Sequence, residues 1–306
     1  MKVGIIGAGS IAGTMAGTIR EMDCAQNYAV AARDYGRAAE FAQTYGFEKA
    51  YGSYEELVED AGVELVYIAT PHSHHYEHIK LCLNHGKHVL CEKSFTVNES
   101  QAREVLALAR EKKLLLTEAI WTRYMPMRKT LDSVLSSGVI GRPYMLTANL
   151  GYIISGKERI MRPELAGGAL LDVGIYPLNF ASMVFGDEVD SITGTAVMTE
   201  TGVDAQNSIT ITYKDGKMAA LCSSAMGLSD RRGIIYGDNG FIEVENINNC
   251  EGIRVYDRSR NMIASYDTPK QISGYEYEVE ACLRAIKEGA LECPEMPHEE
   301  TLRMMG

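Results

Sequence analysis

The sequence predicts two folds in series: an α/β domain built on a parallel sheet, then an α+β domain with a mostly antiparallel open sheet. Three observations predict this. The first third alternates short apolar runs with helical patterns. The stretch from Val189 to Tyr266 is strand after strand, broken by turn residues. A glycine pattern sits at the first strand-to-helix junction.

In chain order, Lys2–Ile6 reads as a strand and Ser10–Glu21 as a helix. Tyr28–Ala32 and Gly36–Tyr45 repeat the pair, as do the short strand Lys49–Tyr51 and helix Ser53–Glu59. Leu65–Ala69 is a buried strand followed by helix His74–His85, and His88–Cys91 a strand followed by helix Asn98–Lys112. Leu114–Glu118 closes the series. After Trp121 the pattern changes. Met125–Ser137 is helical and stops at Gly138; Arg142–Gly151 is a strand; Gly167-Gly168 precedes the helical run Ala169–Phe185. Six strands follow: Ser191–Thr199, Ser208–Lys214, Met218–Ser224, Arg232–Gly237, Gly240–Asn246 and Gly252–Asp257. Lys214-Asp215-Gly216 and Gly237-Asp238-Asn239-Gly240 are two of the turns between them. Helix Tyr275–Glu288 comes next. The expected domains are residues 1–120 and 121–306. The chain stops in what reads as the first turn of another amphipathic helix, so a truncated C-terminus is expected.

Composition narrows the function classes. Of 306 residues, 46% are hydrophobic and 23% charged, enough apolar surface for a substantial core. The net charge of −11 argues against nucleic acid and against an anionic membrane surface. An anionic ligand must then be held by local basic or backbone groups. No run approaches 18 uninterrupted apolar residues, so no membrane span is expected. The opening residues turn into the glycine pattern too early for a signal peptide. The 7 cysteines are odd in number and lack a C-x-x-C pair, which reads as reduced thiols in a cytoplasm.

The chemistry starts at Gly7-Ala8-Gly9-Ser10-Ile11-Ala12, a G-x-G-x-x-A pattern between strand and helix. Gly7 allows the tight turn and Gly9 lets the backbone approach a pyrophosphate. Ala12 permits close helix–strand packing, and the amides around Ser10 and Ile11 face the anion. This is the signature of a dinucleotide-binding Rossmann domain. Cofactor choice hangs on the end of the second strand. NAD enzymes usually carry an acid there for the ribose 2′-hydroxyl. Here Ala32 holds that place, Arg33 follows, and Arg37 lies one turn into the next helix. A cationic fork suits a 2′-phosphate, so NADP is expected in preference to NAD. The plain alternative is a pair of solvated arginines, with Arg33 paired to Asp34.

The strand His88–Cys91 runs into Glu92-Lys93-Ser94. Ligands of open α/β sheets sit beyond the carboxyl ends of the strands, which aims Lys93 at the nicotinamide and substrate. A lone lysine at a strand end would otherwise be a surface charge. Asp172 and Tyr176 lie four residues apart on a helical run and share a face. Alone they could be a helix N-terminal carboxylate and a core-edge tyrosine. His74 and His78 have the spacing of a helical metal pair, but no further ligand cluster is evident and no metal is expected.

Taken jointly, Gly7–Ala12, Thr70-Pro71 with His75, Glu92-Lys93 and Asp172-x-x-x-Tyr176 resemble the Gfo/Idh/MocA family of NAD(P)-dependent oxidoreductases. Glu118–Pro126 and Gly168–Pro177 are most similar to its branch of dihydrodiol dehydrogenases and NADP-dependent xylose dehydrogenases. The resemblance runs essentially end to end. It implies that Thr70, Pro71, His72, His75 and Glu92 contact the cofactor beside Lys93, and that Trp121 and Arg123 border the substrate. Trp121 also fits a domain interface. The resemblance further implies that Tyr176 exchanges the proton of the reacting hydroxyl, with Asp172 orienting substrate or Lys93. Free tyrosine has a pKa near ~10, and a nearby ammonium favours its ionised form. The family usually has Glu-Lys-Pro. Ser94 in place of that often cis proline loosens the placement of Lys93 slightly and removes no reacting group.

The expectation is therefore an NADP-dependent dehydrogenase of a small polyol, sugar or cyclic diol. The rivals are a non-catalytic NADP-binding regulator on the same fold and a reductase of a conjugated or C=N bond. Relatives commonly dimerise through the second-domain sheet, so a homodimer is expected, with apolar positions at Ile209, Ile211, Leu221, Ile235 and Ile242. The same pattern serves a sheet packed on its own helices.

Overall fold

The computed structural model describes residues 1–306. They divide into two compact units, Met1–Tyr124 with Gln271–Gly306, and Met125–Lys270.

The first unit alternates β1 (Lys2–Ile6), α1 (Ser10–Arg20), β2 (Gln26–Ala31), α2 (Tyr35–Tyr45), β3 (Lys49–Tyr51), α3 (Tyr54–Glu59), β4 (Leu65–Ile68), α4 (His75–Asn84), β5 (His88–Glu92), α5 (Glu99–Lys112) and β6 (Leu116–Ala119). All neighbouring strands are parallel, in the order β3-β2-β1-β4-β5-β6. The strand order reverses between β1 and β4, and that switch point opens a crevice at their carboxyl ends. Local chemistry sets the boundaries. The Asp34 side chain caps α2, accepting the Arg37 amide at 2.8 Å, and Gly46 ends the helix in the left-handed region at φ 76°. Ser53 and Asn98 cap α3 and α5 in the same way. Ile5, Ile6, Val66, Ile68, Val89 and Leu90 are fully buried, as a sheet covered on both faces requires.

The second unit holds α6 (Pro126–Ser136), β7 (Pro143–Gly151), a π-helical turn at Leu170–Gly174 running into α7 (Ile175–Phe185), then β8 (Val189–Met198), β9 (Asp204–Tyr213), β10 (Met218–Ser224), β11 (Gly233–Gly237), β12 (Gly240–Glu245), β13 (Gly252–Asp257) and β14 (Met262–Asp267). The sheet order is β14-β13-β12-β11-β7-β10-β9-β8, antiparallel except where β7 meets β10. The π turn and α7 pack on β7 and β10, covering one face of the sheet. Strand β14 was not among the six expected. Its side chains are mostly exposed, as are those of β8, which was expected.

After β14 the chain returns to the first unit with α8 (Glu276–Glu288) and α9 (His298–Met305). This corrects the boundary expected from sequence, which put everything after 121 in one domain. Helix α8 lies on β5 and α9 on α5. The Leu116 amide donates to the Leu291 carbonyl at 3.1 Å, binding the returning segment to β6. An amphipathic helix reads the same whichever sheet it covers, so the sequence carried no sign of the return.

One further expectation changes. Ile211, Leu221, Ile235 and Ile242 are at most 5% exposed, on the face that carries the helices rather than on a free one, while Ile209 is half-buried. The run Pro163–Phe185 is long and apolar enough by overall composition to cross a membrane, but polar residues interrupt it, as expected, and 67% of its apolar window is buried inside the protein.

Candidate active site

The first unit carries an anion cradle. Gly7 has φ 103°, and a Cβ there would lie 2.9 Å from the Ala69 carbonyl oxygen, so glycine is required where β1 and β4 come closest. A Cβ on Gly9 would meet nothing within 4 Å. Gly9 is also the N-cap of α1 and supplies no side-chain cap, leaving the amides of Ser10, Ile11 and Ala12 for an incoming acceptor. Space beside Gly9 and uncapped amides fit a dinucleotide pyrophosphate.

The fork at the end of β2 is open. Arg33 and Arg37 are exposed, and one Arg37 terminal nitrogen donates to the Ala8 carbonyl at 2.9 Å, tying it to the glycine loop. Asp34 spends its carboxylate on the α2 cap instead of pairing with Arg33. Tyr54 and His78 feel the Arg33 charge and stand edge to face, ring centres 4.7 Å apart. Burial, with smaller contributions from His74, His75 and Arg33, holds His78 down at about 4, so its ring is neutral. Sequence reasoning missed Tyr54 and weighed His78 only as a metal-pair partner, because only the fold brings α3 and α4 to the end of β2.

Thr70 Oγ1 bonds His78 Nδ1 at 2.9 Å. Ser73 likewise engages His74 Nδ1, and no group of three or more potential ligands is arranged for a metal ion. Pro71 opens the turn that carries His72, which is 5% exposed. His75 needs correction as a cofactor contact. It is fully buried, with Nδ1 2.9 Å from the Ser94 carbonyl oxygen and Nε2 2.8 Å from that of Thr70. Burial lowers it to about 4. The neutral ring carries one N–H and donates to one of these two carbonyls, lying between the loop after β4 and the turn after β5.

Lys93 stands on that turn at the carboxyl end of β5, partly exposed, followed by a cis Lys93–Ser94 peptide bond. Glu92 is 6% exposed; it accepts the Tyr67 hydroxyl and, at 3.2 Å, the Lys93 amide. Its carboxylate thus also holds the turn that carries Lys93. Trp121 stacks on Tyr275, ring centres 4.2 Å apart and planes at 14°. Tyr275 was missed, since it arrives with the returning segment. Arg123, expected at the substrate, is ion-paired to Glu300 of α9 with its side chain 9% exposed. That pair fixes the returning segment.

The second unit supplies Asp172 and Tyr176, buried at 5% and 7% exposure. Asp172 lies in the π turn and Tyr176 in the first turn of α7. A π-helical segment is uncommon, and such segments gather at functional positions. The Asp172 carboxylate accepts a 2.7 Å charged hydrogen bond from Arg159, a residue the sequence reading missed. Below them, Asp204 accepts the Leu170 amide and the Asn207 side chain, each at 2.8 Å, and Asn207 accepts the Ser223 hydroxyl at 2.8 Å. This chain of hydrogen bonds ties the π turn to β9 and β10.

Comparison with known proteins agrees with both units. Residues 1–120 match the model of an oxidoreductase family with an NAD-binding Rossmann fold, and residues 129–243 match the GFO/IDH/MocA C-terminal domain. The chain belongs to the GFO/IDH/MocA oxidoreductase family. It is 36% identical to trans-1,2-dihydrobenzene-1,2-diol dehydrogenase of Homo sapiens, over 98% of this chain and 92% of that protein. The Sus scrofa enzyme of the same name is 42% identical over 75% of this chain and 70% of its own. The fold is shared with a 3-ketoreductase from Actinomadura kijaniata solved with NADP and TDP-benzene: TM-score 0.92, 24% identity, 100% of this chain and 95% of the other. An aldose-aldose oxidoreductase from Caulobacter crescentus matches with TM-score 0.90 at 18% identity, over 100% and 94% of the two chains.

Proposed function

We propose that this protein is an NADP-dependent dehydrogenase acting on the hydroxyl-bearing carbon of a small polyol, sugar or cyclic diol. The observation that carries this reading is the joint presence, in a chain of this family, of Lys93 beyond β5 and the Asp172–Tyr176 pair at the head of α7. The dihydrodiol dehydrogenases it resembles support a diol or sugar substrate. The exposed Arg33–Arg37 fork, with Ala32 in place of an acid, supports NADP over NAD.

The residues divide the work. The α1 amides and Gly9 would hold the pyrophosphate of NADP, and the fork its 2′-phosphate; bound there, the cofactor would supply the hydride acceptor. Tyr176, as its phenolate, takes the hydroxyl proton of the substrate. The Lys93 ammonium stabilises the developing negative oxygen, and Asp172, fixed by Arg159, orients the substrate. Screening polyols, aldoses and dihydrodiols with NADP⁺ while following NADPH absorbance tests the reading. Turnover of one class supports it; binding of NADP⁺ without turnover of any class would favour a non-catalytic regulator.

A homodimer through the open sheet face belongs to the same proposal. One row in register across that face reads Met218, Met145, Tyr236, Phe241, Tyr256 and Met262. Met218, Met145 and Met262 are 41%, 39% and 57% exposed. An adaptable methionine and aromatic stripe suits a second copy of the same surface. Sedimentation should give a dimer that Met218→Asp dissociates; a monomeric wild type at micromolar concentration contradicts this. The 7 free cysteines suit a reducing cytoplasm, which subcellular fractionation would test.

A further inference from the structure

The turn Lys93-Ser94-Phe95 is held by three buried ionisable side chains from three elements. Glu92 of β5 accepts the Lys93 amide at 3.2 Å, His75 of α4 meets the Ser94 carbonyl at 2.9 Å, and Glu118 of β6 accepts the Phe95 amide at 3.2 Å. Their exposures are 6%, 0% and 0%. A neutral amide or hydroxyl could make each of these bonds without bringing a titratable group out of water.

We propose that Glu118 is a positioning residue for Lys93, holding the Lys93–Phe95 turn through the Phe95 amide and acting on hydride transfer only through that turn. This rests on the reading of Lys93 as a catalytic group. The groups facing Glu118 are Glu92 and Cys91 from β5, Arg123 from the turn after β6, and Thr301 from α9, where Glu300 pairs with Arg123. Burial pushes Glu118 up to about 7, and the Glu92 charge acts the same way; the Phe95 amide, Arg123 and Thr301 oppose them. Cys91 is itself pushed well up by burial and stays a neutral thiol. An ionised carboxylate accepts an amide more strongly than a protonated one. The hold on the turn therefore tightens as pH rises through the Glu118 transition.

Glu118→Gln keeps an acceptor oxygen and loses the charge. With NADP⁺ and trans-1,2-dihydrobenzene-1,2-diol as probe, we expect kcat on the alkaline side to fall roughly tenfold while KM for NADP⁺ stays within about threefold. The inflection near neutral pH should leave the kcat profile. Hydrogen exchange at the Phe95 amide should quicken about tenfold relative to wild type at the same alkaline pH. Glu118→Asp, a charged variant one methylene short, should lose kcat but keep the inflection, and serves if the Gln protein does not fold. Wild-type kcat, inflection and Phe95 exchange in Glu118→Gln, beside an inactive Lys93→Met, would overturn the proposal and leave the Lys93 reading standing. Undiminished turnover in Lys93→Met would overturn that reading and the proposal with it.

Discussion

Replacing Glu278 by Gln should stabilise the protein, and by more as pH rises. Glu278 sits on α8, the helix that packs on β5. It is fully buried, and neither carboxyl oxygen has a hydrogen-bond partner. Burial pushes its pKa well above the ordinary carboxyl range, and the charge of Glu92 and the Cys293 thiol add to this. In the unfolded chain the group ionises near ~4.3. Above that pH the unfolded state has released a proton that the folded state keeps. Stability contributed by Glu278 therefore falls as pH rises, approaching about 1.4 kcal/mol per pH unit, until the folded group itself ionises. Gln has nearly the same shape and the same unpartnered burial but does not titrate. The two proteins should be nearly equal at pH about 4.5 and differ by roughly 2–3 kcal/mol two units higher. Urea unfolding at several pH values measures this. The single tryptophan, Trp121, reports the unit that contains Glu278. A stability difference that stays flat with pH, or a wild type that gains on the variant as pH rises, would refute the reasoning.

Other outcomes follow from the same geometry. Arg33→Ala should weaken NADP⁺ binding roughly 10- to 100-fold, the worth of about 1.5–3 kcal/mol for a charged hydrogen bond, and leave NAD⁺ nearly unchanged. Equal wild-type affinity for the two cofactors in a fluorescence titration would refute the fork. Arg159→Leu removes the 2.7 Å partner of a buried Asp172 and should lower kcat at least about tenfold. Unchanged turnover would show that Asp172 needs no fixing.

Much of the first unit was legible because its signals are local. Gly7 and Gly9, the Asp34, Ser53 and Asn98 caps and the buried apolar strands each mark their own element. The second unit was largely legible, including β8, which is as exposed as β14; β14 itself was not expected. What stayed hidden is non-local. Tyr275 against Trp121 and Glu300 against Arg123 depend on a segment that returns to the first sheet after the whole second unit. The direction in which His75 and Glu92 face could not be read either. Both lie in family-like motifs beside the expected cofactor, yet their polar atoms turn toward backbone and Tyr67. Motif spacing puts a residue at a place along the chain; the inward or outward turn of its side chain is decided by which buried polar groups need a partner.

The central claim is that Lys93 and Tyr176 carry out proton and charge handling in hydride transfer. The most direct test is steady-state turnover of Lys93→Met and Tyr176→Phe with NADP⁺ and the best substrate from the screen. The account predicts a loss of about a hundredfold or more in kcat for each, with NADP⁺ affinity largely retained. Wild-type kcat in both variants would contradict it.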